Sequence, residues 1–207
     1  MSIWTSRPRV LFACFGVVLA SMLSGCLEAV PSETRVLSQS KGALGRATIV
    51  PDKLVVAGPK GFCVDRRSLK SGPSGGFALV VPCAALDEAA GGLGLEAAIL
   101  TLQAQPQRKE VVQAEAESLA RAFAGIQPIY QENGDGMSLV QLAQGGDAIV
   151  PNGEPKHWRA ALSFNGYLVG LALYSEKGGI ASGDEGKALL IEFAEAVLGA
   201  SVGRELD

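Results

Sequence analysis

The stretch His157–Ser175, HWRAALSFNGYLVGLALYS, decides the fold. Asn165-Gly166 at its centre is a type I′ turn signal, because both central residues of that turn need positive φ, which Asn and Gly tolerate best. A two-residue turn there fixes the register of the flanking strands. Phe164 then faces Tyr167, Leu162 faces Val169, Ala160 faces Leu171 and Trp158 faces Leu173. All of these side chains fall on one face of a sheet, and such a face has to be covered. Arg159, Ser163, Leu168 and Tyr174 fall on the other face, which is expected to be partly wet.

The cover is expected from the last helix, Asp184 to Leu198, whose Leu189 or Leu190, Phe193 and Val197 form an apolar stripe. Ser182 with Glu185 reads as an S-x-x-E capping box at its start, and GRELD follows as a polar tail. A second amphipathic helix is expected from Arg108 to Phe123, with Val112, Ala116, Leu119, Ala120 and Phe123 at helical spacing. Pro106 precedes it and Gly125 stops it. AAILTLQAQ, SLVQLAQ and the short DAIVP read as strands, and QENGDGM between them is rich in turn residues. DEAAGGLGLEAA reads as a loose connection; its GGLG lacks the G-x-G-x-x-G spacing of a dinucleotide site.

Upstream, TIVPDKLVVAGPKGFCVDRRS and FALVVPCAAL flank the turn-like LKSGPSGG. A turn centred on Pro73 sets Cys63 opposite Cys83, within reach of a cross-strand disulfide. The alternative is a pair of buried free thiols. Pro82 has no backbone donor, so the second strand of this hairpin is expected at a sheet edge. The fold class is therefore α+β: an antiparallel sheet built from hairpins, two amphipathic helices packed on it, and one disulfide. In outline this order of elements resembles the small sandwiches of the PsbP type. The GPKGFCVD…C hairpin resembles one in uncharacterised envelope proteins of alphaproteobacteria, a likeness that carries no activity with it.

At the N-terminus, Arg7 and Arg9 precede an apolar run, VLFACFGVVLASML, with no acidic residue before Glu28. About 20 apolar residues are needed to span a bilayer, and this run is shorter, as in the apolar region of a signal peptide. It ends in Leu23-Ser24-Gly25-Cys26, which resembles the lipobox of bacterial lipoproteins. The resemblance implies cleavage after Gly25 and a lipidated Cys26 as the first mature residue. Several acyl chains there make a stable anchor, whereas one chain binds only marginally. Leu27 in place of aspartate implies delivery to the outer membrane. The expected organisation is a signal peptide over 1–25, a lipidated tether over 26–46, and a single domain over 47–207.

Loss of Arg7 and Arg9 with the leader takes the formal net charge from −3 to −5, with no basic run, so no nucleic-acid partner is expected. Of the four cysteines, Cys14 leaves with the leader and Cys26 takes lipid, which leaves Cys63 and Cys83 in an oxidising compartment. With one histidine and no C-x-x-C, neither a metal nor a cofactor is expected.

His157, that histidine, has the chemistry of a general base near neutral pH, but no G-x-S-x-G elbow offers it a nucleophile. Glu132, Asn133 and Asp135 set oxygen ligands at alternate positions without the rest of an EF-hand loop, which favours an ordinary Asp-Gly turn. Asp147 and Glu154 are a further pair of carboxylates, whose separation the sequence leaves open. Asp65, Arg66, Arg67 and Lys70 form a basic tip on the disulfide hairpin and are the candidate interaction residues. Two classes of function follow. The first is a non-enzymatic envelope lipoprotein, held to the membrane through Cys26, that binds an envelope protein, cell-wall or lipid partner or helps assemble a larger complex. The second is a small periplasmic hydrolase or transport accessory with a pocket on the sheet near His157.

Overall fold

Runs of β-branched and aromatic residues separated by glycine turns give the described residues more sheet than helix. The computed structural model describes residues 42–86, 98–107 and 113–202, all within one compact unit. Gly25, Cys26, nearly all of the tether, most of the Gly-rich connection and the polar tail lie outside the described residues. The strands are β1 (Ala43–Leu44), β2 (Arg46–Val50), β3 (Leu54–Ala57), β4 (Phe62–Asp65), β5 (Gly76–Pro82), β6 (Ile99–Pro106), β7 (Pro128–Gly134), β8 (Met137–Leu142), β9 (His157–Phe164) and β10 (Tyr167–Tyr174). The helices are α1 (Ala116–Arg121), the single turn α2 (Gly146–Ile149) and α3 (Asp184–Val202). An eight-stranded antiparallel sheet runs β1-β4-β5-β6-β10-β9-β8-β7, and β2 pairs with β3 in a separate ribbon. The sheet starts inside the stretch read as the tether, since Ala43 pairs with Asp65 and Leu44 with Val64.

The β9–β10 hairpin has the expected register, from Phe164 opposite Tyr167 to Trp158 opposite Leu173, with Asn165 at φ 48° and Gly166 at φ 80°. Its apolar face is covered by α3 and by the β2–β3 ribbon. Leu190, Phe193, Ala194 and Val197 of α3 and Ile49, Leu54 and Val56 of the ribbon share one buried cluster with Leu100, Trp158, Leu162, Leu171 and Leu173. Ser201, the last buried residue of the α3 stripe, accepts from Val55 N at 3.0 Å and donates to Val197 O at 2.7 Å, tying the helix end to β3. The capping box does not form. Ser182 sits in a 3-10 turn and its hydroxyl donates to Gly179 O, while the first helical bonds of α3 reach Gly183 O.

The opposite face is drier than expected. Ala116, Val140 and Leu142 form a second cluster there, joined by Leu119, Ala120, Phe123 and Ile126, and His157 and Tyr174 are 2% and 3% exposed. The stripe expected on the first helix therefore points as expected, but the helix is much shorter than Arg108–Phe123. Glu115 is extended, and the Asn133 side chain accepts from Ala116 N at 2.7 Å, starting α1 there; residues 108–112 lie outside the described residues. DAIVP is no strand: Gly146–Ile149 coil into α2. QENGDGM proves mostly strand, with Gly134 opposite Met137 across a tight Asp135-Gly136 turn at φ 48° and 75°.

The disulfide joins Cys63 and Cys83 with Cα atoms 4.8 Å apart. The two cysteines are not opposite one another, however. Cys63 faces Val81, and Cys83 lies just past the strand in a 3-10 turn, its N–H donating to Gly61 O at 2.9 Å. The 3-10 turn Arg66–Ser68, inserted on the β4 side, shifts the register that a simple turn at Pro73 would set. Nor is β5 an edge strand; it lies between β4 and β6, with Pro82 past its last β6 partner, Val80. A proline at that end interrupts no ladder bond to β6.

Candidate functional site

The alternation of β7 and β8 and the stripe of α3 leave a groove where the β7–β8 hairpin meets the helix. Its floor is apolar, built from Met137 and Leu139 of β8, Leu162 of β9, and Ile191, Ala194 and Leu198 of α3. Its rim is charged: Glu132 and Asp135 on the hairpin, Lys187 and Glu195 on the helix. The groove is partly open, with a volume of about 170 Å³. Nothing in the floor can hydrogen-bond, so the groove selects for an apolar group, and the excess of carboxylates on the rim favours a positive charge beside it.

One end is closed by a bar of three side chains. Lys187 Nζ donates to the Tyr130 hydroxyl at 2.7 Å and pairs with the Glu132 carboxylate, and the Tyr130 hydroxyl donates to Glu132 at 2.7 Å. The ammonium also lies 4.5 Å from the Tyr130 ring centroid. The Lys187 bond, then the Tyr130 bond, holds Glu132 below the usual carboxylate range, and the same contacts, Glu132 first, raise Lys187. Tyr130 in turn meets Trp158 edge to face, with centroids 5.7 Å apart. The bar is therefore braced on the core through the indole.

The sequence singled out Glu132 and Asp135 as turn or calcium oxygens, and both stand on the groove's rim. Asn133 is spent on capping α1. Lys187 and the helix side of the groove had no local signal; they become visible only once β7 is known to be a strand lying over α3. Among the described residues no group of three or more His, Cys, Asp or Glu could hold a metal ion.

His157 is buried on the other face, stacked on Tyr174 at 5.4 Å with Nδ1 3.2 Å from Pro155 O. Burial pushes its imidazole below the ordinary histidine value, and the nearby Arg159 acts the same way, while the Pro155 carbonyl opposes them. Arg159 lies between the Phe123 and Tyr174 rings, 4.9 and 5.2 Å from their centroids; burial lowers its pKa and raises that of the Tyr174 phenol. Of the other carboxylate pair, Glu154 accepts from Gly178 N at 3.1 Å and Asp147 stands exposed on α2.

In the basic tip, Asp65 is 7% exposed and accepts from Arg67 N at 2.9 Å and Arg67 Nε at 3.2 Å, so it caps the 3-10 turn and is not open to a partner. Arg66, Arg67 and Lys70 remain exposed. No helix among the described residues is long and apolar enough to cross a membrane. Comparison with protein-family models, curated proteins and solved structures finds no match for this chain.

Proposed function

We propose that this chain is a lipid-anchored protein of the bacterial cell envelope that binds a partner and turns over no substrate. The groove beside α3 carries the binding half of the reading: an apolar floor with a carboxylate-rich rim suits an apolar side chain flanked by lysine or arginine on an envelope protein. The lipobox-like Leu23-Ser24-Gly25-Cys26 supports the anchor, and Cys26 gives the membrane contact. The buried, stacked His157 supports binding over hydrolysis, because a general base must reach the proton it removes. Arg66, Arg67 and Lys70 offer a second, basic contact for headgroups or an acidic partner.

A photoreactive residue at Asp135 or Glu195, activated in intact cells, tests the groove. Adducts that form from both rim positions and not from Lys53, an exposed residue elsewhere, are expected. Adducts equally strong from Lys53, or none from the rim, would overturn the groove as the binding site.

A further inference from the structure

The two edges of the large sheet are unequal. At one end β1 is only two residues long, too short to template another chain. At the other end β7 runs seven residues, and Ile129 and Tyr130 on it are 52% and 37% exposed. Long, exposed edges are normally blunted by lysine, an interior proline, an inward charge or a bulge. β7 carries no lysine, its proline is its first residue, and its one charge, Glu132, is paired with Lys187. A bulge lies between Pro128 and Tyr130, and pairing is regular from there to Gly134.

The register says which backbone groups face outward. Gly134 and Met137 flank a two-residue turn and so form a hydrogen-bonded pair, which turns the N–H and C=O of Gly134, Glu132 and Tyr130 toward β8. Those of Asn133 and Gln131 then point away from the sheet. Gln131 is also the midpoint of Pro128–Gly134.

We propose that β7 pairs antiparallel with β7 of a second copy of this chain, about a two-fold axis at Gln131, to join two sheets into one. This centre sets Gln131 opposite Gln131 and Tyr130 opposite Glu132, all within the regularly paired part of the strand. The central Gln131 pair supplies about two backbone hydrogen bonds from groups that face outward. The side chains are self-complementary. No like charges oppose, and each Glu132–Lys187 pair lies beside the other copy's Tyr130, the partner type it already holds within its own chain. The proposal deepens the assembly role by naming a partner, and it rests on the geometry of β7 and not on the groove or the anchor.

The test is the mass of the purified full-length chain in detergent by light scattering, together with two variants. Gln131→Pro removes an outward donor and leaves the β8 ladder intact; it is expected to be monomeric with the circular dichroism spectrum of the wild type. Gln131→Cys sets two thiols on the axis at a Cα separation of about 5.5 Å, within disulfide reach, and is expected to give a reducible dimer. Should Gln131→Pro fail to fold, the cysteine variant decides alone. A wild-type chain that is monomeric at every concentration, or a dimer that Gln131→Cys does not cross-link, overturns the proposal. Either result leaves the groove adducts and the lipid on Cys26 to be judged separately.

Discussion

Trp158 shows how much a single position sets. It is 2% exposed, its indole N–H donates to Gly183 O at 3.0 Å, and the Tyr130 ring meets it edge to face. Gly186, in the first turn of α3, is what lets the helix come so close. A Cβ there would overlap the Ala181 carbonyl and press on the indole at 3.1 Å. Gly186→Ala is therefore expected to lower stability by about 1–3 kcal/mol by urea unfolding, the cost of overpacking, despite alanine's better helix propensity. His157 sets a pH dependence. Its folded pKa is depressed by burial, so the unfolded chain takes up the proton first. Stability is full above about pH 6.5 and falls as pH drops below it, and His157→Phe is expected to flatten that limb. Glu132 adds a lower limb. Its folded pKa is depressed by Lys187 and Tyr130, so what it contributes is present above about pH 4.3 and is lost as pH falls through its folded value. Glu132→Gln is expected to remove only that second limb. A pH profile of unfolding in which the two variants behave alike would contradict both assignments.

Elements differ in how far their sequences could speak for them. The β9–β10 hairpin was legible because Asn165-Gly166 fixes a two-residue turn and alternation does the rest. The α3 stripe was legible for the same reason at helical period. The first helix misled because its apolar spacing continues upstream of Ala116, while the actual start is set by the side chain of Asn133, a residue seventeen positions away. β7 was hidden because Gln131, Glu132, Asn133 and Gly134 have turn composition, and what makes them a strand is β8 beside them. Half of the groove was invisible for that reason. In the disulfide hairpin the right cysteines were joined through the wrong register, since a three-residue 3-10 turn has no strong sequence mark. Asp65 supplies its cap, and Asp65→Ala is expected to cost about 1 kcal/mol. The bridge closes a separation of 20 residues, so Cys63→Ser with Cys83→Ser is expected to lose about 3 kcal/mol by loop-closure entropy, read as an earlier midpoint in urea.

At the scale of the molecule, the sheet is a layer with α3 and the β2–β3 ribbon on one face and α1 on part of the other. The groove opens where α3 meets the hairpin end, and β7 is the long outer strand of the sheet among the described residues, so the binding surface and the proposed assembly surface share the Glu132 side chain. Phe193, fully buried beneath α3, holds the layers together, and Phe193→Ala is expected to cost about 3–5 kcal/mol. The proposed role rests on a chain held at a membrane by its N-terminus. The most direct measurement of that is the intact mass of the protein taken from its own envelope, wild type against Cys26→Ser. The account expects a mature chain beginning at Cys26 and carrying a diacylglyceryl and a further acyl group, with both the added mass and the membrane partition lost in the variant. An unprocessed chain without lipid at Cys26 would contradict it.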